Sequence, residues 1–204
     1  MLSSKYFKKR TYTFSTFFKD ICTVMRKSSH IRESMQAERI SGKFREKIML
    51  AVTAVNGCKY CEWGHTKAAM EEGCTEEEIK EIMENDFGSC DPDEVIALAF
   101  AQHYADSKGN YTEDSWTKLV DVYGEKEAED ILLSIQMITV GNLLGNTFDG
   151  FLSRFKGKPP ENGSLMFELF LLLSFIIFSP LMVIIIIIIL PFIIILKKCR
   201  KGRV

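Results

Sequence analysis

Apolar residues recur along most of this chain at the three-to-four-residue spacing of helices. Phe14, Phe17, Phe18, Ile21, Val24 and Met25 form one such series in a basic segment. It predicts an amphipathic helix that either lies on a membrane or packs on the domain as its first helix. Residues 43–55 (KFREKIMLAVTAV) become apolar on all sides after Lys47, the pattern of a buried helix. Asn56-Gly57 breaks that helix, and a second is expected from about Cys58 to Glu72, stopped by Gly73. Thr75 followed by Glu78 is a capping box for a third helix ending near Asn85. Asp91-Pro92 with Glu94 opens a fourth, because proline suits the first helical position and aspartate caps it. A turn at 110–112, a short helix over 113–123 and a long helix after Gly124 complete the series. No alternating run bounded by turn residues predicts a strand. The fold class expected is all-α.

The pattern changes after residue 155. Lys156 to Gly163 (KGKPPENG) reads as a linker, and residues 165–196 then form an apolar run whose only charge is Glu168. About 20 such residues span a bilayer, so a membrane segment is expected. Leu169 to Leu196 would make a helix of ~42 Å against a hydrocarbon core of ~30 Å. Either a tilted crossing or a hairpin broken at Ser179-Pro180 accommodates it. The expected organisation is a basic amphipathic segment (1–29), a helical domain (30–155), a linker (156–164), a transmembrane segment (165–196) and a basic tail (197–204).

Charge sharpens this division. The formal net charge is only −1, yet residues 1–27 carry seven Lys or Arg against Asp20 alone. Residues 28–153 carry eleven Lys or Arg against twenty-four Asp or Glu, and the tail after Leu196 adds five basic residues and no acid. Basic ends beside apolar sequence favour an anionic membrane surface, whereas the acidic body would repel nucleic acid. Residues 1–27 lack the uninterrupted apolar core and cleavage site of a secretory signal. The expectation is a membrane-anchored protein with its domain in the cytoplasm. The positive-inside rule also favours the cytoplasm for the tail, which would require the hairpin, although each half has only about 15 residues.

Six cysteines stand at positions 22, 58, 61, 74, 90 and 199. One close pair among scattered cysteines suggests a redox or metal pair in a reducing compartment. Cys58, Cys61 and His65 at i, i+3 and i+7 share a helix face. Cys58 opens that helix, where free backbone N–H groups and the helix dipole stabilise a thiolate. His65, one turn beyond Cys61, can accept or relay a proton. A second thiol one turn away can resolve a sulfenic acid into a disulfide. Glu46, twelve residues before Cys58, could orient the imidazole.

Glu46, Cys58, Cys61 and His65, set as E-x11-C-x2-C-x3-H within AVTAVNGCKYCEWGHTKAAMEEGCTEEEI, resemble the alkylhydroperoxidase D-like branch of the carboxymuconolactone decarboxylase family. The resemblance extends over roughly residues 30–155, including GNLLGNTFD. It implies an all-α, peroxiredoxin-type oxidoreductase that reduces hydroperoxides without a cofactor and assembles as a trimer or hexamer. It also implies that Cys61 attacks the peroxide, that Cys58 donates a proton and resolves, and that Glu46 and His65 form the relay. The chain departs from the pattern in having Tyr60 where some members have histidine, and in its apolar tail. Decarboxylases of the wider family lack the cysteine pair, so the resemblance points away from decarboxylation.

The implied partners are a hydroperoxide, an unknown thiol electron donor and the membrane, with no nucleic acid. The alternative is a non-catalytic, membrane-tethered module whose dithiol senses redox state or binds metal. Zinc on Cys58, Cys61 and His65 would need a fourth ligand such as Cys74 or His103. Cys22, Cys74 and Cys90 are expected to be packing residues, and His30 and His103 structural or surface residues. Tyr60 and Trp63 flank the dithiol; they could wall a peroxide pocket, but packing in the core is the expectation. Cys199, beside the membrane segment, is either spare or a palmitoylation site.

Overall fold

The computed structural model describes residues 6–179. It is all-α: nine helices and no strand occur among the described residues. Eight belong to one compact unit, Met1–Gly163: α1 (Phe14–Arg26), α2 (Ser28–Ala37), α3 (Gly42–Asn56), α4 (Lys59–Glu71), α5 (Glu76–Met83), α6 (Pro92–Asp106), α7 (Glu113–Tyr123) and α8 (Glu125–Arg154). The ninth, α9 (Leu165–Ser179), belongs to a second unit beginning at Ser164. The remainder of the expected membrane segment, the tail and Cys199 lie outside the described residues.

Local chemistry sets the boundaries. Thr75 and Glu78 form the expected reciprocal capping box at α5, and Thr13 with Thr16 forms another at α1. Pro92 occupies the first turn of α6, but the Asp91 side chain makes no capping hydrogen bond. Gly57, with φ of 70°, closes α3 in the left-handed conformation that a Cβ disfavours.

At the centre stands α3, which packs on α4, α5, α6 and α8. Its Ile48, Leu50, Ala51 and Val52 are buried against Ala97, Leu98 and Ala101 of α6 and Ile131 and Ile135 of α8 within one core. Each fully buried Leu or Ile contributes about 1.5–3 kcal/mol, so α3 and α8 anchor the unit. Helix α8 is long and apolar enough to cross a membrane, but 61% of its apolar window is buried within the protein. It is the core helix of this unit.

Helix α2 carries no clear apolar periodicity in the sequence. Its turns are polar (SSHIRESMQA), and an ion-paired link holds this region to α8. Arg39, just past α2, donates from Nε and Nη2 to the two oxygens of the fully buried Asp130 at 2.6 and 2.9 Å, while His30 Nε2 lies 2.8 Å from Asp130 Oδ1. Ahead of α1, the buried Tyr12 ties the N-terminal segment to α8: its N–H donates to Thr147 Oγ1 at 2.8 Å.

Candidate active site

Gly57 turns the chain out of α3, and Cys58 becomes the N-cap of α4. Its sulfur accepts the Cys61 N–H at 3.3 Å, as a capping side chain does. The two cysteines are joined as a disulfide with a Cα–Cα separation of 5.4 Å, well within the usual range. Cys58 is fully buried, whereas Cys61 is only half-buried and is the more accessible sulfur.

His65 follows one turn after Cys61 on the same helix, and its partner comes from α3. His65 Nδ1 lies 2.7 Å from Glu46 Oε2, with both side chains mostly shielded from water. Opposite a carboxylate Nδ1 is the donor, which fixes the tautomer and leaves Nε2 to exchange a proton. The four residues singled out in the sequence thus lie on two adjoining helices, as one disulfide and one hydrogen-bonded pair.

A third wall comes from α8. A Cβ placed on Gly145 would stand 2.6 Å from Cys58 Sγ and 3.8 Å from Cys61 Sγ. Only a glycine lets the backbone of α8 lie this close to the disulfide. On either side of it, Asn142 and Asn146 fasten α8 to the end of α3. Thr53 Oγ1 donates to Asn142 Oδ1 at 3.1 Å, and Asn146 Nδ2 donates to the Asn56 carbonyl at 2.8 Å. These bonds fix the turn that presents Cys58. Further along, Asp149 pairs with Lys59 and, more loosely, with Lys9 at 3.9 Å. The hydrogen bond to Asp149 raises the Lys59 ammonium above its ordinary range.

Residue spacing does not mark Gly145, Asn142 and Asn146 as site residues. The available signal was GNLLGN, two asparagines four apart with a glycine between them in an otherwise apolar helix.

The aromatic neighbours do not pack in the core as expected. Trp63 is 74% exposed and Tyr60 41% exposed, with the Tyr60 ring centroid 6.1 Å from that of Phe148. The reason is the register of α4, which turns Tyr60 and Trp63 to solvent while Cys61 and His65 lie on its half-buried side. Cys22 is likewise exposed rather than packed, whereas Cys74 and Cys90 are buried as expected. Burial pushes both of those thiols up from the ordinary cysteine range, keeping them protonated and unreactive. Among the described residues no three His, Cys, Asp or Glu side chains are grouped as a metal site. His103 is exposed.

Residues 24–103 match the carboxymuconolactone decarboxylase family, a stretch that contains Glu46, Cys58, Cys61 and His65. No curated protein and no solved structure matches the chain.

Proposed function

We propose that this chain, with its carboxymuconolactone decarboxylase family region at residues 24–103, is a thiol peroxidase of the alkylhydroperoxidase D-like kind. The observation that carries this reading is the Cys58–Cys61 disulfide at the start of α4, next to the Glu46–His65 pair. When a dithiol closes to such a disulfide it gives up two electrons, which reduce the substrate.

Cys61, the more accessible sulfur, attacks as thiolate on the terminal oxygen of a hydroperoxide. The O–O bond breaks, the alkoxide leaves with a proton as alcohol, and Cys61 becomes a sulfenic acid. Cys58 then attacks the Cys61 sulfur, the S–O bond breaks, water leaves and the disulfide forms. A dithiol donor restores both thiols by exchange and is itself oxidised to a disulfide. His65 moves the proton: Glu46 holds its Nδ1–H and stabilises the charged imidazolium when Nε2 takes up a proton. Gly145 and the Asn142 and Asn146 bonds hold the pair in its closing geometry.

The apolar run 165–196 supports placing this activity at a membrane, with the domain on the cytoplasmic side where a dithiol donor can reach it. Assembly into a trimer or hexamer belongs to the same reading.

Incubating the reduced chain with a hydroperoxide and titrating free thiols tests this proposal. Loss of two thiols per chain, with one alcohol formed and repeated turnover when a dithiol donor is supplied, is the expected result. Tight zinc binding without turnover would favour a non-catalytic module instead.

A further inference from the structure

Seven of the thirteen residues of α1 are apolar, yet none of the thirteen is buried. Its inward side is explained. Tyr12 and Phe17 meet edge to face at 5.4 Å, and Asp20, the only acid of residues 1–27, accepts the Tyr12 hydroxyl at 3.1 Å. The outward side is exposed. Phe14, Phe18, Cys22 and Met25 lie at i, i+4, i+8 and i+11, which places them within an arc of about 80° on a helix of 3.6 residues per turn. All four are exposed, Phe18 by 50% and Met25 by 68%. The Phe14 and Phe18 rings stack at 5.9 Å, making a continuous apolar ridge. Exposed Lys19 and Arg26 run along one edge of that ridge.

We propose that this face of α1 is a docking surface for an anionic lipid bilayer. Charge selects that occupant over others. Residues 1–27 carry seven basic residues against one acid, and that acid is engaged on the inward side. Residues 28–153 are strongly acidic, with eleven basic residues against twenty-four acids. An anionic surface therefore repels the body and attracts this helix and its flanks. A ridge of two phenylalanines and a methionine with basic residues at its edge is what an interfacial helix buries at the headgroup boundary. The inference goes beyond the apolar run 165–196, since it adds a second membrane contact within the first unit. It does not depend on the redox chemistry.

Cys22 in the middle of the ridge provides the probe. In the oxidised chain Cys58 and Cys61 are blocked, while Cys74 and Cys90 are buried, so Cys22 is the exposed free thiol among the described residues. The full chain carrying Cys199→Ser is labelled at Cys22 with an environment-sensitive fluorophore. It is then placed in vesicles of zwitterionic lipid alone or with phosphatidylserine. The expected result is a blue-shifted emission, quenched by brominated acyl chains, in the anionic vesicles only and reversed by high salt. Each basic residue near such a surface contributes about fivefold to partitioning. Lys19→Gln with Arg26→Gln should therefore weaken docking about 25-fold while leaving peroxide consumption unchanged. Emission of a water-exposed label in both kinds of vesicle would overturn the proposal. A blue shift that persists in detergent with self-quenching between labels would also overturn it, and would assign the face to a second copy of the chain.

Discussion

Gly145 lies so close to Cys58 that any Cβ on it would stand 2.6 Å from the cysteine sulfur. No sulfur–carbon contact of that length survives, so a side chain there forces α4 and α8 apart or drives Cys58 off its capping position. Gly145 lies 87 positions after Cys58 (145 − 58) in the sequence, so the constraint is purely spatial.

Gly145→Ala should therefore slow peroxide-driven disulfide formation by at least tenfold. Gly141→Ala is the control, because a Cβ there meets nothing closer than Ile138 Cδ1 at 3.9 Å. In mid-helix the control should gain roughly 0.5–1 kcal/mol from the lost backbone freedom of glycine. Stopped-flow thiol oxidation and thermal melts of the two variants distinguish the site from the helix. Equal rates in both would mean that α8 does not position the dithiol.

Glu46→Gln keeps the shape of the side chain but removes the charge facing His65 Nδ1. Peroxide consumption should fall roughly a hundredfold, the lower end of the range of about 10²–10⁴-fold for proton-transfer assistance, because Glu46 acts through His65, with the helical circular dichroism signal unchanged. Loss of the fold instead would make Glu46 a structural residue.

The site is partly legible in the sequence. Residue spacing alone put Cys58 at a helix start with Cys61 and His65 after it, because cap and turn signals such as Asn56-Gly57 act within a few residues. The same local chemistry announced α5 through Thr75 and Glu78. What the sequence does not reveal acts at a distance. The α2 region is held by Arg39 and His30 on Asp130, some ninety to a hundred residues away in sequence, and its own composition carries little periodicity. Gly145 shows no local motif that distinguishes a tolerated glycine from a required one. Trp63 looked like a core residue because tryptophan is mostly buried on average, and only the packing of α4 against α8 turns it outward.

The Asp130 carboxyl is fully buried. Burial alone would raise it, but the Arg39 hydrogen bonds, with those of His30 and Ser34, outweigh that and hold it below the usual carboxylate range. Arg39→Ala leaves this buried charge without its two-pronged partner, with His30 and Ser34 left facing it, which should lower stability. Urea denaturation measures the loss. An unchanged urea midpoint would show the link between the α2 region and α8 to be dispensable.

Acid should expose a second buried cluster. Lys47 is buried between Glu78 at 2.7 Å and Glu94 at 2.6 Å, and Lys43 reaches Glu78 at 3.1 Å. Burial would raise the Glu78 carboxyl, but the two lysines and the Thr75 N–H prevail and hold it at about 2. A carboxyl depressed in the folded state contributes stability that is fully present above its unfolded value, about 4.3, and is lost as pH falls through its folded value. Glu78→Gln should thus lower Tm at neutral pH, and the gap to the parent chain should shrink between about pH 4 and pH 2. A gap independent of pH over that window would contradict the ion-pair account.

Membrane attachment can be separated from chemistry. The chain should remain with membranes through carbonate extraction, and truncation near Gly157, inside the linker that ends the first unit, should release a soluble domain that still consumes peroxide. Recovery of the untruncated chain in the carbonate supernatant would rule out the apolar run 165–196 as an anchor.

The central claim is the division of labour between the two sulfurs, and dimedone labelling of the reduced cysteine variants after one equivalent of hydroperoxide tests it most directly. Cys58→Ser should give a labelled sulfenic acid on Cys61 at close to the parent rate of peroxide loss. Cys61→Ser should give neither label nor peroxide loss. A label on Cys58 in the Cys61→Ser variant, with an unlabelled Cys61 in the other, would contradict the assignment.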